Sequence, residues 1–423
     1  MKVIIVGSGL AGPAMALALK RHNISCKVFD LRDEAAFDGG FVALAPNALR
    51  ALDRIGVYDR IRTQGWNYEE FRFLSSRNLS RIGTVLNGSQ SRYGYKALRV
   101  SRGIVRQTLM DVLRERDIEL HLNARCVQIQ ETDHATVIVT FADGRTEEAD
   151  FLIGADGIHS RVRTYVAPDA VPTFSGQIGV GGSLPKAKLL MRPGEDMYMP
   201  CLILGKLNSF MFMPTSYTGD RVSCFATVEA KDRSREEWAK LQNDHTALYK
   251  MLQSHHENET WPEIVRVASQ GVELSSLSLW PYYKLPELTS WTSTSGRVII
   301  IGDAAHAMPP TGGQGAAMAF EDALTLADTL SLLNKSEPRD QGNHHLDLLR
   351  EWQTARRARV KKILAFTSRG GDMRKSSTST FRQLLKEWVM WAYFLFVGKD
   401  AGLSWIYEFD TQKGADAGRG GRA

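Results

Sequence analysis

The run Val3–Val6, followed at once by Gly7-Ser8-Gly9-Leu10-Ala11-Gly12, constrains this chain more than any other segment. A short β-branched stretch suits a strand buried on both faces. The glycines have GxGxxG spacing, and each has a mechanical reason. Gly7 permits the tight turn, Gly9 lets a pyrophosphate approach the backbone, and Gly12 allows a helix to pack closely on the strand. The small and apolar residues of Ala14–Lys20 predict that helix. Pro13 falls in its first turn, where the missing N–H has no intrahelical partner anyway. A second strand, Lys27–Asp30, ends in an acid at the distance expected of a ribose-binding carboxylate. Together these predict a βαβ unit with a dinucleotide phosphate at a helix N-terminus, where free N–H groups and the dipole favour negative charge. The motif alone does not choose between a nicotinamide and a flavin dinucleotide.

Farther along, Val100–Arg116 reads as a second long helix, Glu119–Thr140 as strands leading to a turn at Asp143-Gly144, and Phe151–Gly154 as another buried strand. From Phe174 to Glu229 the pattern shifts to short alternating strands with Gly and Pro turns, for example Ser209–Pro214 and Arg221–Glu229. That predicts an antiparallel layer separate from the nucleotide fold. Ser234–His256 reads as helical. A parallel-type strand returns at Arg297–Ile301 and feeds a glycine-rich loop and a helix over Ala316–Leu333. A basic helix, Asp347–Ala365, follows. Trp388–Val397 is strongly apolar but short of the ~20 residues a bilayer span needs. It reads as a helix packed on the protein, with peripheral membrane contact as the alternative. Gly414–Ala423 cannot build a core and is expected to fray.

With 423 residues the chain can bury more than one core. Its net charge of +6 is spread along the sequence and suits an anion such as a pyrophosphate without announcing nucleic acid. The basic run at Arg356, Arg357, Arg359, Lys361 and Lys362 is most cheaply explained as a solvated helix face, with no aromatic stacking platform beside it. Cys26, Cys126, Cys201 and Cys224 have no CxxC spacing, so neither a disulfide framework nor a metal site is expected, and a reducing compartment fits best. The first strand starts at once and leaves no room for a leader, so a cytoplasmic location is expected.

Two later segments carry a resemblance: FLIGADGIHSRVR, Phe151–Arg163, and GRVIIIGDAAHAMPPTGGQGAAMAFEDA, Gly296–Ala323. With the N-terminal motif they resemble the three motifs of the class A flavoprotein monooxygenases, relatives of para-hydroxybenzoate, salicylate and urate hydroxylases and of tetracycline-inactivating enzymes. The resemblance covers most of the chain in order. It implies an α/β fold: a Rossmann-type FAD-binding domain with an inserted antiparallel β-sheet substrate domain and a C-terminal helix. The implied division is 1–72, 97–172 and 285–370 for FAD, 73–96 and 173–284 for substrate, 371–412 as a C-terminal helical segment and 413–423 as a tail.

The resemblance also implies roles residue by residue. Gly7, Gly9, Leu10, Ala11, Gly12 and Asp30 would hold the adenosine diphosphate part of FAD. Gly302 and Asp303 would hold the ribityl chain. Pro309, Gly312, Gly313, Gly315 and Ala316 would face the isoalloxazine ring. Gly39 and Gly40, before FVALAPNAL, match a glycine pair whose backbone passes close to the flavin, and Arg102 matches an arginine that contacts FAD. Asp156 and Gly157 match a DG motif that serves FAD and transient NADPH or NADH. The segment Trp405–Asp410 is similar to a tail in salicylate- and urate-hydroxylase relatives. His306 reads as a packed, hydrogen-bonded histidine, and Glu321 and Asp322 as structural. Arg161 and Arg163 either pair with anions or are solvated.

The chain departs from the pattern at two places. Asp30 stands where many relatives carry Glu. Val180-Gly181-Gly182 stands where many carry Trp-Arg-Gly, so a substrate-orienting arginine is missing there. The glycine-rich stretch is expected to leave room for a larger, less charged substrate. There is a single GxGxxG, so the nicotinamide nucleotide is expected to bind transiently. The family chemistry passes through a flavin C4a-hydroperoxide that delivers one atom of O2 to an aromatic or polyketide-like molecule. No dedicated protein nucleophile is needed, and none is assigned. Phe210 and Phe212 alternate with Met211 and Met213 along one strand, so either pair could line an apolar pocket. Phe210, Phe212 and Pro309 are the expected substrate-pocket residues, and Tyr198 and Tyr217 could supply hydroxyls. An epoxidase or reductase of the same fold is the alternative. A monomer or homodimer with no metal is expected.

Overall fold

The computed structural model describes residues 1–34, 40–133, 135–189, 197–206, 208–254, 261–335, 344–372 and 379–412. At its centre is a five-stranded parallel sheet, in the order Val298–Ile300, Phe151–Gly154, Lys2–Val6, Ser25–Phe29, Glu119–His121. The helix Ala11–Arg21 returns the chain over this sheet and is buried from Ala11 through Leu19. It packs against the long helix Gly315–Lys335, which explains why its outward residues are also small and apolar. Each fully buried leucine in it, Leu17 and Leu19 among them, contributes roughly 1.5–3 kcal/mol. An antiparallel meander, Cys126–Glu131, Val137–Phe141 and Thr146–Ala149, covers one end of the sheet, with Phe141 stacked on Phe29 at 4.4 Å.

A second, seven-stranded sheet runs Ser278–Lys284, Thr173–Pro185, Arg221–Glu229, Ser209–Pro214, Cys201–Leu204, Glu70–Ser75, Arg81–Leu86. It is antiparallel except where Cys201–Leu204 runs parallel to Glu70–Ser75. The continuous strand Glu70–Ser75 cannot be divided, so this sheet begins a little ahead of the boundary expected at 73. A small sheet of Phe41–Leu44, Ala97–Ser101 and Trp66–Tyr68 lies beside it.

Caps explain where predicted helices were too long. Val100 and Ser101 belong to a strand, and the helix starts at Arg102 because the Ser101 hydroxyl accepts the Gly103 N–H at 3.2 Å. The predicted helix over 234–256 is two helices, Arg235–Asn243 and His245–Ser254. The first opens on a Ser234/Glu237 capping box, and Asp244 breaks the run and caps the second by accepting from Ala247 N at 2.9 Å.

Helix Thr380–Val397 packs one stripe, including Met390, on the strand Arg81–Leu86, where the Phe394 ring fills the space above Gly83. The rest of it does not pack on the protein as expected. Trp388 is 61% and Phe396 87% exposed. No described helix is long and apolar enough to cross a membrane.

Candidate active site

The parallel register places the sequence motifs side by side. Val6 is level with Phe29 on one side and Gly154 on the other, and Gly154 is level with Ile300. The residues that follow these strand ends, Gly7, Asp30, Asp156 and Asp303, therefore emerge along one edge. That edge is where open α/β sheets bind ligands.

At Gly7 the backbone has φ +110°, and an added Cβ would lie 2.3 Å from the Ala155 carbonyl oxygen. At Gly12 an added Cβ would lie 1.8 Å from the Gly7 oxygen. Both are packing glycines. Gly9 differs: a Cβ there meets nothing within 4 Å, because the loop faces open space. The N-terminus of helix Ala11–Arg21 has no side-chain cap, and Gly9, Leu10 and Ala11 line the cavity it faces.

Asp30 is nearly sealed, and its carboxylate accepts from Ser8 N at 2.6 Å and Arg32 N at 2.8 Å. Burial opposes its ionisation, but these backbone donors and the Arg32 charge outweigh it and hold the carboxyl below its ordinary range. The shorter acid thus shapes the glycine loop while still lining the cavity. Arg106, unassigned from sequence, holds the same loop: its Nε donates to the Ser8 carbonyl at 2.8 Å and its Nη2 to the Ser8 hydroxyl at 3.0 Å. Its position one helical turn beyond Arg102 was the available signal.

The second loop turns at Gly302, φ +61°, whose N–H donates to Asp322 at 3.0 Å. Asp303 follows, exposed into the cavity. Pro309, Gly312, Gly313, Gly315 and Ala316 line the same cavity. Behind them lies a buried ion network. Arg356 donates to Asp322 and Glu321, each at 2.8 Å, Arg359 donates to Glu321 at 2.6 and 2.8 Å, and Asn47 to Glu321 at 2.9 Å. Arg356 and Arg359 are therefore not part of a solvated face. His306 Nε2 lies 2.6 Å from Asp322 and is buried, as a structural histidine should be. Arg359 also stacks on Phe409, and Arg50 donates to the carbonyls of Tyr407 and Phe409, which anchors the Trp405–Asp410 tail.

Asp156 lines the cavity, but its carboxylate is engaged. It accepts from the Ser160 hydroxyl and from the N–H groups of Arg161 and Val162, at 2.7 and 3.2 Å, opening the helix Arg161–Val166. Burial pushes its carboxyl up, against those bonds. Arg163 is not solvated: its guanidinium is spent on three backbone carbonyls, those of Ile158, Ala170 and Ala304. Gly40, φ +58°, sits under the Trp280 ring and accepts from Arg102 N at 2.8 Å; Gly39 lies outside the described residues.

Gly9, Asp30, Gly40, Asp156, Asp303 and the loop from Pro309 to Ala316 open on one cavity of about 2790 Å³, well above the roughly 300–1,000 Å³ of a small-ligand site. It continues past Pro309 to one face of the seven-stranded sheet. There the pocket residues need correction. Phe210 and Phe212 are fully buried on the opposite face, in a core with Trp261, Leu248 and Val265 under the helices between 235 and 271. Alternation then sends Met211 and Met213 to the cavity. Tyr198 donates to the Glu70 carbonyl and Tyr217 is exposed, and neither lines the cavity; Tyr68, Tyr282, Tyr393 and Tyr407 do. Gly181 and Gly182 line the cavity. They are closely packed from behind: a Cβ on Gly181 would meet the Cys224 carbonyl and one on Gly182 Val272, while on Gly179, just before them, it would meet the Phe225 ring and the Tyr282 hydroxyl.

An FAD fits what is present. Gly9, Gly157 and Gly313 face open space at the surfaces a dinucleotide would cover. The Arg102 Nε is buried with no partner among the described residues, and Arg102 lines the cavity. No described cluster of His, Cys, Asp and Glu could hold a metal.

A family model described as an FAD binding domain matches residues 1–367. Similar proteins include hispidin-3-hydroxylase of Neonothopanus nambi, 30% identical over 356 residues, 78% of this chain and 80% of that one. Another is 6-hydroxynicotinate 3-monooxygenase of Bordetella bronchiseptica, 27% identical over 343 residues, 77% of this chain and 81% of that one. A solved salicylate hydroxylase substrate complex shares the fold with a TM-score of 0.77 at 22% identity, covering 98% of this chain and 96% of that one. Fold and site thus define a flavoprotein oxidoreductase with FAD as its cofactor. The chain belongs to the FAD-binding-domain family and is an FAD-dependent monooxygenase.

Proposed function

We propose that this protein hydroxylates an aromatic or polyketide-like small molecule, inserting one atom of O2, with NADH or NADPH as a reductant that binds transiently. The observation that carries the reading is the continuity of the cavity from Gly9 and Asp303 through Pro309 to Met211 and Met213. A related 6-hydroxynicotinate 3-monooxygenase and a related hispidin-3-hydroxylase are named for hydroxylation of ring compounds, which supports the same substrate class here.

Bound FAD supplies the electron transfer and the activation of dioxygen. The protein binds, orients and excludes water. The free amides at Gly9–Ala11 would hold the pyrophosphate and Asp30 the ribose. Asp303 would hold the ribityl hydroxyls. Amides near Gly315, at the start of a 21-residue helix, would favour negative charge on the reduced ring. Met211, Met213, Leu202 and Phe73 give the substrate end an apolar wall that keeps water from the reactive oxygen. The proposed division assigns 1–72, 97–172 and 285–370 to FAD and 73–96 with 173–284 to substrate, with the first boundary drawn back to residue 70 so that strand Glu70–Ser75 stays whole. Of the C-terminal segment, assigned as 371–412, Met390, Phe394, Leu403 and Tyr407 line the cavity.

The test uses FAD-loaded protein, NADH or NADPH, and a panel of phenolic substrates under labelled dioxygen. One labelled oxygen in the product is expected. A reduced product without label would replace this reading with a reductase.

A further inference from the structure

We propose that Arg99 is the anion-binding group of the substrate pocket, and that the substrate joins an apolar ring body to one anionic oxygen group, a carboxylate or an ionised phenol or enol. This rests on the hydroxylase reading and names its substrate class.

Arg99 lies in the middle of strand Ala97–Ser101. Leu98 and Val100 are fully buried in the main core, so alternation turns Arg99 to the other face. Register sets Ala43 and Trp66 opposite it, and Tyr68 opposite Ala97. That face looks into the cavity: Ala43, Tyr68 and Arg99 line it together with Met211 and Met213. The part of Arg99 that stays accessible is thus open to the cavity.

Among the described residues the guanidinium has no carboxylate partner. Its Nε is buried and unpartnered, and the contact it makes is with the Phe41 ring, 5.4 Å from the guanidinium carbon. Burial lowers its pKa to about 10, which still leaves it charged at neutral pH. Other buried arginines are matched: Arg356 has two carboxylates, and Arg163 three carbonyls. Arg102 also lacks a partner at Nε, but it sits beside Gly40 on the cofactor side. A desolvated charge is retained where something else completes it. A planar fork of donors matches a carboxylate or a delocalised oxyanion. Around Arg99 the wall is mostly apolar, with the Tyr68 ring, Met211 and Met213, which suits a ligand whose remainder is mostly apolar. The arginine missing at Val180-Gly181-Gly182 is therefore replaced from a different strand of a different sheet. The proposed substrate thus carries a charge that the glycine stretch alone did not lead one to expect.

The test titrates the FAD-loaded full chain with salicylate and 4-hydroxybenzoate, with their primary amides, and with 4-nitrophenol, following flavin absorbance and fluorescence. Nitrophenol ionisation is read from its own visible band. At least one acid or phenolate should bind the wild type at least tenfold more tightly than the matched amide or un-ionised phenol. Arg99→Met should weaken that ligand tenfold or more, leave the amide unchanged and leave FAD affinity unchanged; Arg99→Lys should fall between. If binding falls to the phenolate alone, the anion is a phenol or enol; if to the acids, a carboxylate. Three results overturn the proposal: Arg99→Met binds the anion like wild type, Arg99→Met loses FAD, or the wild type takes up no anionic probe at millimolar concentration. Anion binding that depends on Arg99 in a protein that never labels product would leave Arg99 standing and remove the hydroxylase reading. Labelled product without Arg99 dependence would do the reverse.

Discussion

The Arg356 guanidinium donates to the Asp322 carboxylate at 2.8 Å with both side chains sealed from solvent. The other Asp322 oxygen receives the Gly302 N–H and lies against His306. One carboxylate therefore ties the helix His344–Asp372 to the loop that presents Asp303. Its removal leaves a buried guanidinium without that acceptor and the loop without its anchor. Asp322→Ala is expected to destabilise the protein by about 3–5 kcal/mol, the usual cost of breaking a buried pair from one side. Urea denaturation of the FAD-loaded protein measures it. Arg356→Met should cost a similar amount, and the double variant Asp322→Leu/Arg356→Met should recover part of it, since no charge is then stranded. Strictly additive losses would sink this account of the pair.

The same carboxylate sets an acid limit. Burial works against its ionisation, yet the His306 and Arg356 charges and the Gly302 N–H overcome that and hold Asp322 down to about 2. In the unfolded chain its pKa returns to about 3.9. A depressed folded-state pKa gives stability that is fully present above the unfolded value and is lost as pH falls through the folded one. The melting temperature should therefore drop steeply between about pH 4 and pH 2. Asp322→Asn should start from a lower plateau and show a shallower acid limb. An identical limb in that variant would assign the acid transition to other carboxylates.

Two glycines of one motif should fail differently. Gly12→Val forces a side chain into the Gly7 carbonyl, so it should prevent helix and strand from packing and cost the fold itself. Gly9→Val places its side chain in open space at the cavity wall, where a pyrophosphate would lie. It should keep the circular dichroism spectrum and urea midpoint of the wild-type apoprotein while losing yellow colour and bound FAD. Retention of FAD by folded Gly9→Val would contradict the placement of the phosphates.

What was legible in the sequence was whatever depends on backbone geometry over a short span. Gly7, Gly12 and Asp30 had to lie together because a strand, a turn and a helix of fixed dimensions connect them. The structure brings Asp303 and Pro309–Ala316 to the same cavity. Illegible were the facts set by long-range pairing. Whether Phe210 or Met211 faces the cavity depends on which side of the seven-stranded sheet the helices between 235 and 271 cover, and alternation alone is symmetric. Arg356 and Arg359 read as solvated because their partners, Glu321 and Asp322, lie on another helix. Arg99 went unnoticed three residues before Arg102, since a lone arginine between Leu98 and Val100 declares itself only when its strand has neighbours.

The helix Thr380–Val397 should answer to substitution by face rather than by residue type. Met390 is buried against the second sheet and lines the cavity, so Met390→Ala is expected to cost about 2–5 kcal/mol. Trp388 and Phe396 are larger, yet most of each side chain is exposed. Replacing both with Glu should change stability by no more than about 0.5 kcal/mol per site, because most of what they carry is already in solvent. The same change breaks up an exposed apolar patch, and such patches promote association. Light scattering during heating should therefore begin at a higher temperature in Trp388→Glu/Phe396→Glu than in the wild type. A urea midpoint lowered as far as that of Met390→Ala would show that this outer face is packed in solution.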